Sequence, residues 1–152
     1  MKTKWKHVLS QEIGIKYKAG IYSICHLFYI AIFLINQQKY EINLIQLAQI
    51  VLLAWTINHI EVYIFANFDE AADQLTGKWW LSALTCSVLY MIAANWLNWF
   101  QGSLSVLVGF GTYQLFCYWG VYINNKIKRH IDSKQLNQLL KTYKQGKEKK
   151  DV

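Results

Sequence analysis

The sequence contains no proline. It therefore lacks the proline breaks with which many transporters interrupt a helix to build a site at the membrane midplane. Cysteine is scarce: Cys25, Cys86 and Cys117 are the three present. Their odd number, the absence of a CxxC spacing and their place inside apolar stretches exclude a disulfide framework or a zinc site of the usual pattern, and point to small buried residues. Charge is scarce too, at 16% of the chain against 54% hydrophobic residues, and it gathers at the two ends and in one internal loop. The mean hydropathy of only +0.12 averages over that segregation. There is no phosphate-binding glycine loop, HExxH or paired-carboxylate motif, nor a polar segment long enough for a separate catalytic domain. The expectation is a protein that is not an enzyme.

What remains is apolar and aromatic. Four stretches, 19–36, 42–66, 79–100 and 104–125, each approach the roughly 20 residues a membrane-spanning helix requires. They lack the alternation of barrel strands, and a spanning segment must satisfy its own backbone hydrogen bonds, so they are predicted to be helices. Their apolar character nearly all round argues against a soluble bundle. The expected fold class is all-α: an integral membrane four-helix bundle with a cytoplasmic amphipathic C-terminal helix. Residues 1–18 are expected to form a cytoplasmic basic start, with an interfacial helix open there, 19–125 the four-helix spanning domain and 126–152 a cytoplasmic basic tail. The first apolar stretch is not expected to be a cleaved signal peptide, because Asn36-Gln37-Gln38-Lys39-Tyr40 follows it without a small-residue cleavage pattern.

Basic residues set the expected orientation. Lys2, Lys4, Lys6, Lys16 and Lys18 precede the first stretch, and Lys126, Lys128, Arg129, Lys134, Lys141, Lys144 and further lysines follow the fourth. Both termini are thus predicted to be cytoplasmic in the cell membrane, with Lys39 on the other side. Trp5, Trp79, Trp80, Tyr118, Trp119 and Tyr122 fall near the inner boundary and Tyr40, Trp96, Trp99 and Phe100 near the outer one, as interfacial belts do. The formal net charge of +7 is accounted for by flanks that hold topology and attract anionic membrane lipid, without direct nucleic-acid binding.

Two cytoplasmic features offer surface for a partner. In the tail, Leu136, Leu139, Leu140 and Tyr143 recur at helical spacing, with Asp132 or Ser133 available as an N-cap and Gly146 near the end, which predicts an amphipathic helix over 132–144. That helix has a choice between the inner leaflet and a protein. The loop between the second and third stretches carries Asp69, Glu70 and Asp73, which stay in water beside a negative membrane and are free to meet a basic partner.

Polar groups inside a span are costly and informative. The candidate inner faces are Tyr22, His26, Tyr29 and Phe33; Gln49, Thr56, His59 and Tyr63; Ser87, Met91, Asn95 and Asn98; and Gly109, Tyr113, Cys117, Gly120 and Asn124. Gly109 and Gly120 suit close helix approach. His26 and His59 are expected at equal depth on antiparallel neighbours, which leaves open a structural hydrogen-bonded pair, a proton-sensitive switch, or axial ligation of a b-type haem; no other cofactor and no metal is expected. Glu61, the one acid within a span, is expected to pair with a basic flank, Lys16, Lys18 or Lys126.

The layout resembles the membrane inhibitor family of LytTR regulatory systems, four-helix membrane proteins of Firmicutes. The residues that carry the resemblance are a basic start leading through Gly14-Ile15 and Gly20 into the first helix, and a fourth span running through Tyr118-Trp119-Gly120-Val121-Tyr122 into a basic tail with Asn137 and Leu140. The resemblance implies a partner, a LytTR-type DNA-binding activator of bacteriocin or competence genes, held inactive at the membrane. It supplies no catalytic residues. A small oligomeric transporter and a subunit or cofactor carrier of a membrane complex are the alternatives, and a homodimer is open.

Overall fold

The computed structural model describes residues 2–65 and 75–148. Asp69, Glu70 and Asp73, the expected acidic docking surface, lie outside the described residues. Four helices follow in order, α1 (Lys2–Asn36), α2 (Leu44–Phe65), α3 (Gly77–Trp96) and α4 (Leu104–Glu148), with no strand among the described residues. Residues 8–36 of α1, all of α2 and residues 104–143 of α4 are long and apolar enough to cross a membrane. α3, which carries Lys78, Ser82, Ser87 and Asn95, is not among these three. The chain divides into two compact units, one ending at Tyr118 and one beginning at Trp119.

Helix boundaries depart from the sequence expectation where nothing forces a break. The basic start is not a separate segment, because α1 continues through Gly14 and Gly20 to Asn36. Likewise no helix begins at Asp132. Residues 121–145 contain neither glycine nor proline, so α4 simply continues, and Asp132 and Ser133 are interior positions instead of caps.

The turns are made by capping chemistry. At the end of α1 the Gln38 N–H donates to the Ile35 carbonyl and the Lys39 N–H to the Leu34 carbonyl, both at 2.9 Å. Gln38 takes the left-handed conformation, φ 57°, that this paired cap requires. The same cap ends α3: the Asn98 N–H donates to Asn95 at 3.1 Å and the Trp99 N–H to Ala94 at 3.0 Å, with Asn98 at φ 55°. The third apolar stretch therefore stops being helical at Trp96, short of the expected residue 100. Asparagine tolerates that backbone better than most residues, which explains why the helix ends there. Across the turns, the Asn43 Oδ1 accepts from the Ile45 N–H at 3.0 Å, and Thr76 caps the start of α3 through the Trp79 N–H at 3.4 Å.

Within the first unit α1 packs on α2, and α2 on α3. The opening part of α4 closes the bundle through side chains, with Tyr118 against Tyr22 at 4.8 Å between ring centroids and Phe110 against Tyr29 at 5.3 Å. The inner face expected for α1 holds at Tyr22, His26 and Phe33, all buried. The other three faces are rotated from the expectation. On α2 the buried residues are Ile50, Ala54, Ile57, Asn58, Glu61 and Val62, while Thr56 and Tyr63 are exposed. On α3, Cys86, Ser87, Tyr90 and Ala94 are buried and Asn95 and Asn98 exposed. On α4, Leu107, Phe110, Gly111, Gln114 and Tyr118 turn inward. Polarity misled because a hydroxyl can satisfy itself on its own helix: Thr56 donates to the Leu52 carbonyl at 2.8 Å and Thr112 to Val108 at 3.0 Å, so neither needs the interior.

Of the glycines expected to permit close packing, Gly109 does so and Gly120 does not. A Cβ at Gly109 would stand 2.6 Å from the Tyr29 hydroxyl, which is itself fixed by donating to the Val106 carbonyl at 2.9 Å. A Cβ at Gly120 meets nothing within 4 Å. Gly109→Ala should therefore destabilise the bundle by about 1–3 kcal/mol through overpacking. Gly120→Ala should be neutral or stabilising by up to about 1 kcal/mol through helix propensity. Thermal unfolding of both variants in detergent reads the contrast.

Candidate functional site

The interior of the first unit carries a ladder of polar side chains, built from one end inward. At the end where α1 enters the bundle, Lys18 Nζ lies 3.0 Å from Glu61 Oε1, and both side chains are buried. Of the three bases considered for Glu61, the structure selects Lys18. The reason is register: Lys18 stands one turn before Tyr22 on the buried face of α1, whereas Lys16 is exposed. One turn deeper, Tyr22, Asn58, Ser82, Cys86 and Tyr118 are buried from all four helices. Asn58 donates to the Ala54 carbonyl at 2.7 Å, and Cys86 lies beside Ser82 and Tyr118.

The next layer is His26, Tyr90, Ser87 and Gln114. The imidazole of His26 meets the Tyr90 ring edge-on at 4.4 Å between centroids and the Phe110 ring at 5.4 Å. Gln114 lies beside it. Both ring nitrogens of His26, both amide atoms of Gln114, the Tyr90 hydroxyl and the Ser87 hydroxyl are buried without a hydrogen-bonding partner among the described residues. An unpaired buried polar group costs about 1–3 kcal/mol. Beyond this layer the polarity ends. Tyr29, Phe33, Trp99, Phe100 and Phe110 form an aromatic plug, with Phe100 at 5.4 Å from Phe33 and 5.2 Å from Phe110, and Trp99 Nε1 donating to Gln49 Oε1 at 3.1 Å.

His59 is not the partner of His26. Its Nδ1 lies 2.9 Å from the Trp55 carbonyl, and its Nε2 lies 3.4 Å from Glu12 Oε1, which also accepts from the Tyr63 hydroxyl at 3.0 Å. The bond to Trp55 places a proton on Nδ1. His59 sits two residues from Glu61, so a helix carries it to the opposite side of α2, away from the core. The geometry fits neither the expected hydrogen-bonded histidine pair nor axial haem ligation by these two residues. Asn95 and Asn98 also leave the site, since Asn95 is exposed and Asn98 serves the α3 cap.

In the second unit Leu136, Leu139, Leu140 and Tyr143 line one side of α4 and are 59%, 68%, 50% and 70% exposed, so nothing within that unit buries them. His130, Lys134 and Lys141 lie on the other side of the same helix.

Sequence reasoning found Glu61, Lys18 and His26 and missed Gln114, Tyr90, Asn58 and Ser82. The available signal for Gln114 was its isolation as the one amide between Leu104 and Val121. Removing one member of the Lys18–Glu61 pair, as in Lys18→Met or Glu61→Leu, should destabilise the bundle by about 3–5 kcal/mol, because the other charge is stranded. The double variant should recover most of that loss, a pattern that a double-mutant cycle by thermal unfolding in detergent measures directly. No family model matches this chain, nor does any curated protein or solved structure.

Proposed function

We propose that this chain is a four-span protein of the cytoplasmic membrane, with both termini inside, that holds a LytTR-type DNA-binding activator at the membrane and keeps its genes off. α3 is taken as the fourth crossing: at 20 residues it is close to the 22 of α2, and it packs on α2 within the same unit. The charge asymmetry of the ends supplies the orientation.

The observation that carries the reading is the uncovered face of Leu136, Leu139, Leu140 and Tyr143 on a helical tail. An amphipathic helix with apolar residues at i, i+3, i+4 and i+7 is a recurrent way to fill a groove on a partner. Asp69, Glu70 and Asp73 complement it by charge, since an activator's DNA-facing surface is basic and an acidic loop competes for it. Sequestration needs only moderate affinity, because confinement at the membrane keeps the regulator from its promoters. The resemblance of the sequence layout to LytTR-system inhibitors supports this class of partner, and anionic lipid of the inner leaflet is the second surface proposed for the tail.

The test uses the full chain co-expressed with a co-encoded DNA-binding protein. Leu136→Lys with Leu140→Lys should move the regulator from the membrane to the soluble fraction and raise reporter transcription at least about tenfold, the effect of roughly 1.4 kcal/mol lost from binding. Asp69→Asn, Glu70→Gln and Asp73→Asn together should weaken retention in the same direction. Repression that persists when the whole gene is deleted removes the inhibitor reading.

A further inference from the structure

The core polar ladder is not used by a docking function, and its chemistry defines a ligand. His26 meets Tyr90 and Gln114 from α1, α3 and α4, with Ser87 buried about one turn before Tyr90 on α3, each able both to donate and to accept a hydrogen bond. Apart from the Gln114 amide that stands beside the His26 ring, no protein group among the described residues meets their buried polar atoms in hydrogen-bonding geometry. In the layer between them and the Lys18–Glu61 pair, Asn58 Oδ1 is unmatched in the same way, and Ser82 Oγ and the Tyr118 hydroxyl have only the weakly polar Cys86 thiol beside them. We infer that these atoms bind a short chain of water molecules, a one-ended hydrated well that begins beside Lys18–Glu61 and terminates at His26.

The class of ligand follows from what the layer contains. A cation would need an uncommitted carboxylate, and the acid of this core, Glu61, is engaged by Lys18. An anion would need a permanent positive charge at the depth of His26, and Lys18 stands eight residues away, about 12 Å along α1. A larger organic molecule would need space that rings in contact at 4.4 Å do not leave. Water fits, since a buried water makes about three hydrogen bonds to polar groups of this kind.

The well has one mouth. Toward the turns, the Tyr29, Phe33, Trp99, Phe100 and Phe110 cluster offers aromatic carbon, and its polar atoms are already committed: Tyr29 to Val106, Trp99 to Gln49. Toward the other end, Ser82, Tyr118 and Asn58 continue the polar surface to the ion pair. Protons therefore reach His26 from the Lys18 end and go no further. The titratable groups around it are Tyr90 on α3 in direct contact, Tyr22 on α1, Cys86 on α3 and Tyr118 on α4 one layer away, Tyr29 on α1 on the plug side, and Glu61 on α2 with Lys18 at the mouth. The core is thus a site that takes up water and protons from one side without conducting them, independent of whether the tail binds a regulator.

The full-length chain in lipid bilayers, with labelled histidine and glutamine, allows a direct reading by water-edited solid-state NMR. The His26 ring nitrogens and the Gln114 amide should gain magnetisation from water several-fold faster than the Phe110 ring. If they build up as slowly as Phe110, the core is dry and the proposal fails. Gln114→Leu supplies an independent measure: loss of a water ligand should lower the melting temperature, whereas a rise would show that the amide was unpaired and overturn the well. In liposomes carrying an internal pH dye, the wild-type chain should pass protons no faster than lipid alone. Proton flux above that background would overturn the closed end, whatever the tail is found to bind.

Discussion

The contact between Lys18 and Glu61 sets the arrangement of the bundle. Two opposite charges brought out of water hold only in good geometry, because the attraction must offset a desolvation cost of several kcal/mol per ion. That requirement fixes the register of α1 against α2. Sliding either helix by one residue would carry one charge about 100° around its axis and strand the other. With the register fixed, each turn of α1 outward from Lys18 meets a defined layer: Tyr22 opposite Tyr118, His26 opposite Tyr90 and Phe110, and Tyr29 and Phe33 opposite Phe100. The order of these layers runs from charged to polar to aromatic. Chemistry is thereby graded along the axis of the unit, with the reactive groups nearer one end.

This grading decides what the interior can do. A bundle intended only to pack would place aliphatic side chains at His26, Tyr90 and Gln114, at a saving of about 1–3 kcal/mol for each polar group otherwise left unpaired. Their presence at full burial, on three helices at one depth, is a feature that packing does not explain. The aromatic plug beyond them is explained by packing, since its rings meet at edge-on and tilted angles between 4.5 and 7 Å, which is the favourable range for such pairs.

Helix number and most helix limits were legible in the sequence, because continuous apolar length needs no tertiary information. The partner of Glu61 was legible only as one of three bases, Lys16, Lys18 and Lys126, since few bases stand within reach of a buried acid, and the helix register that selects Lys18 is a tertiary fact. The inner faces of α2, α3 and α4 were not. In helices apolar all round, periodicity gives no direction, and the polar residues used in its place include Thr56, which satisfies itself, and Asn98, which caps. His59 misled in depth and in rotation: α1 runs on below the expected start of its span, so His59, two residues from Glu61, stands level with the Lys18 and Glu12 part of α1 and not with His26, and its side of α2 turns it to Glu12. The tail's apolar stripe was read correctly because there the surrounding lysines, glutamines and asparagines give periodicity a contrast. Its continuity with α4 was not read, since candidate caps at Asp132 and Ser133 were given weight that an unbroken helix does not grant them.

The two capped turns have a further consequence. A protease binds its substrate as an extended strand of several residues, and local unfolding must supply that strand when the fold does not. At residues 37–43 and 97–103 the chain reverses through caps whose amides are tied to the last carbonyls of α1 and α3, and Trp99 and Phe100 are buried from the second turn. The second turn therefore offers a protease almost no strand to bind, whereas residues 39–43 of the first are exposed and outside any helix, with Tyr40 82% exposed. A probe that inspects the protein from that side finds its one accessible strand there.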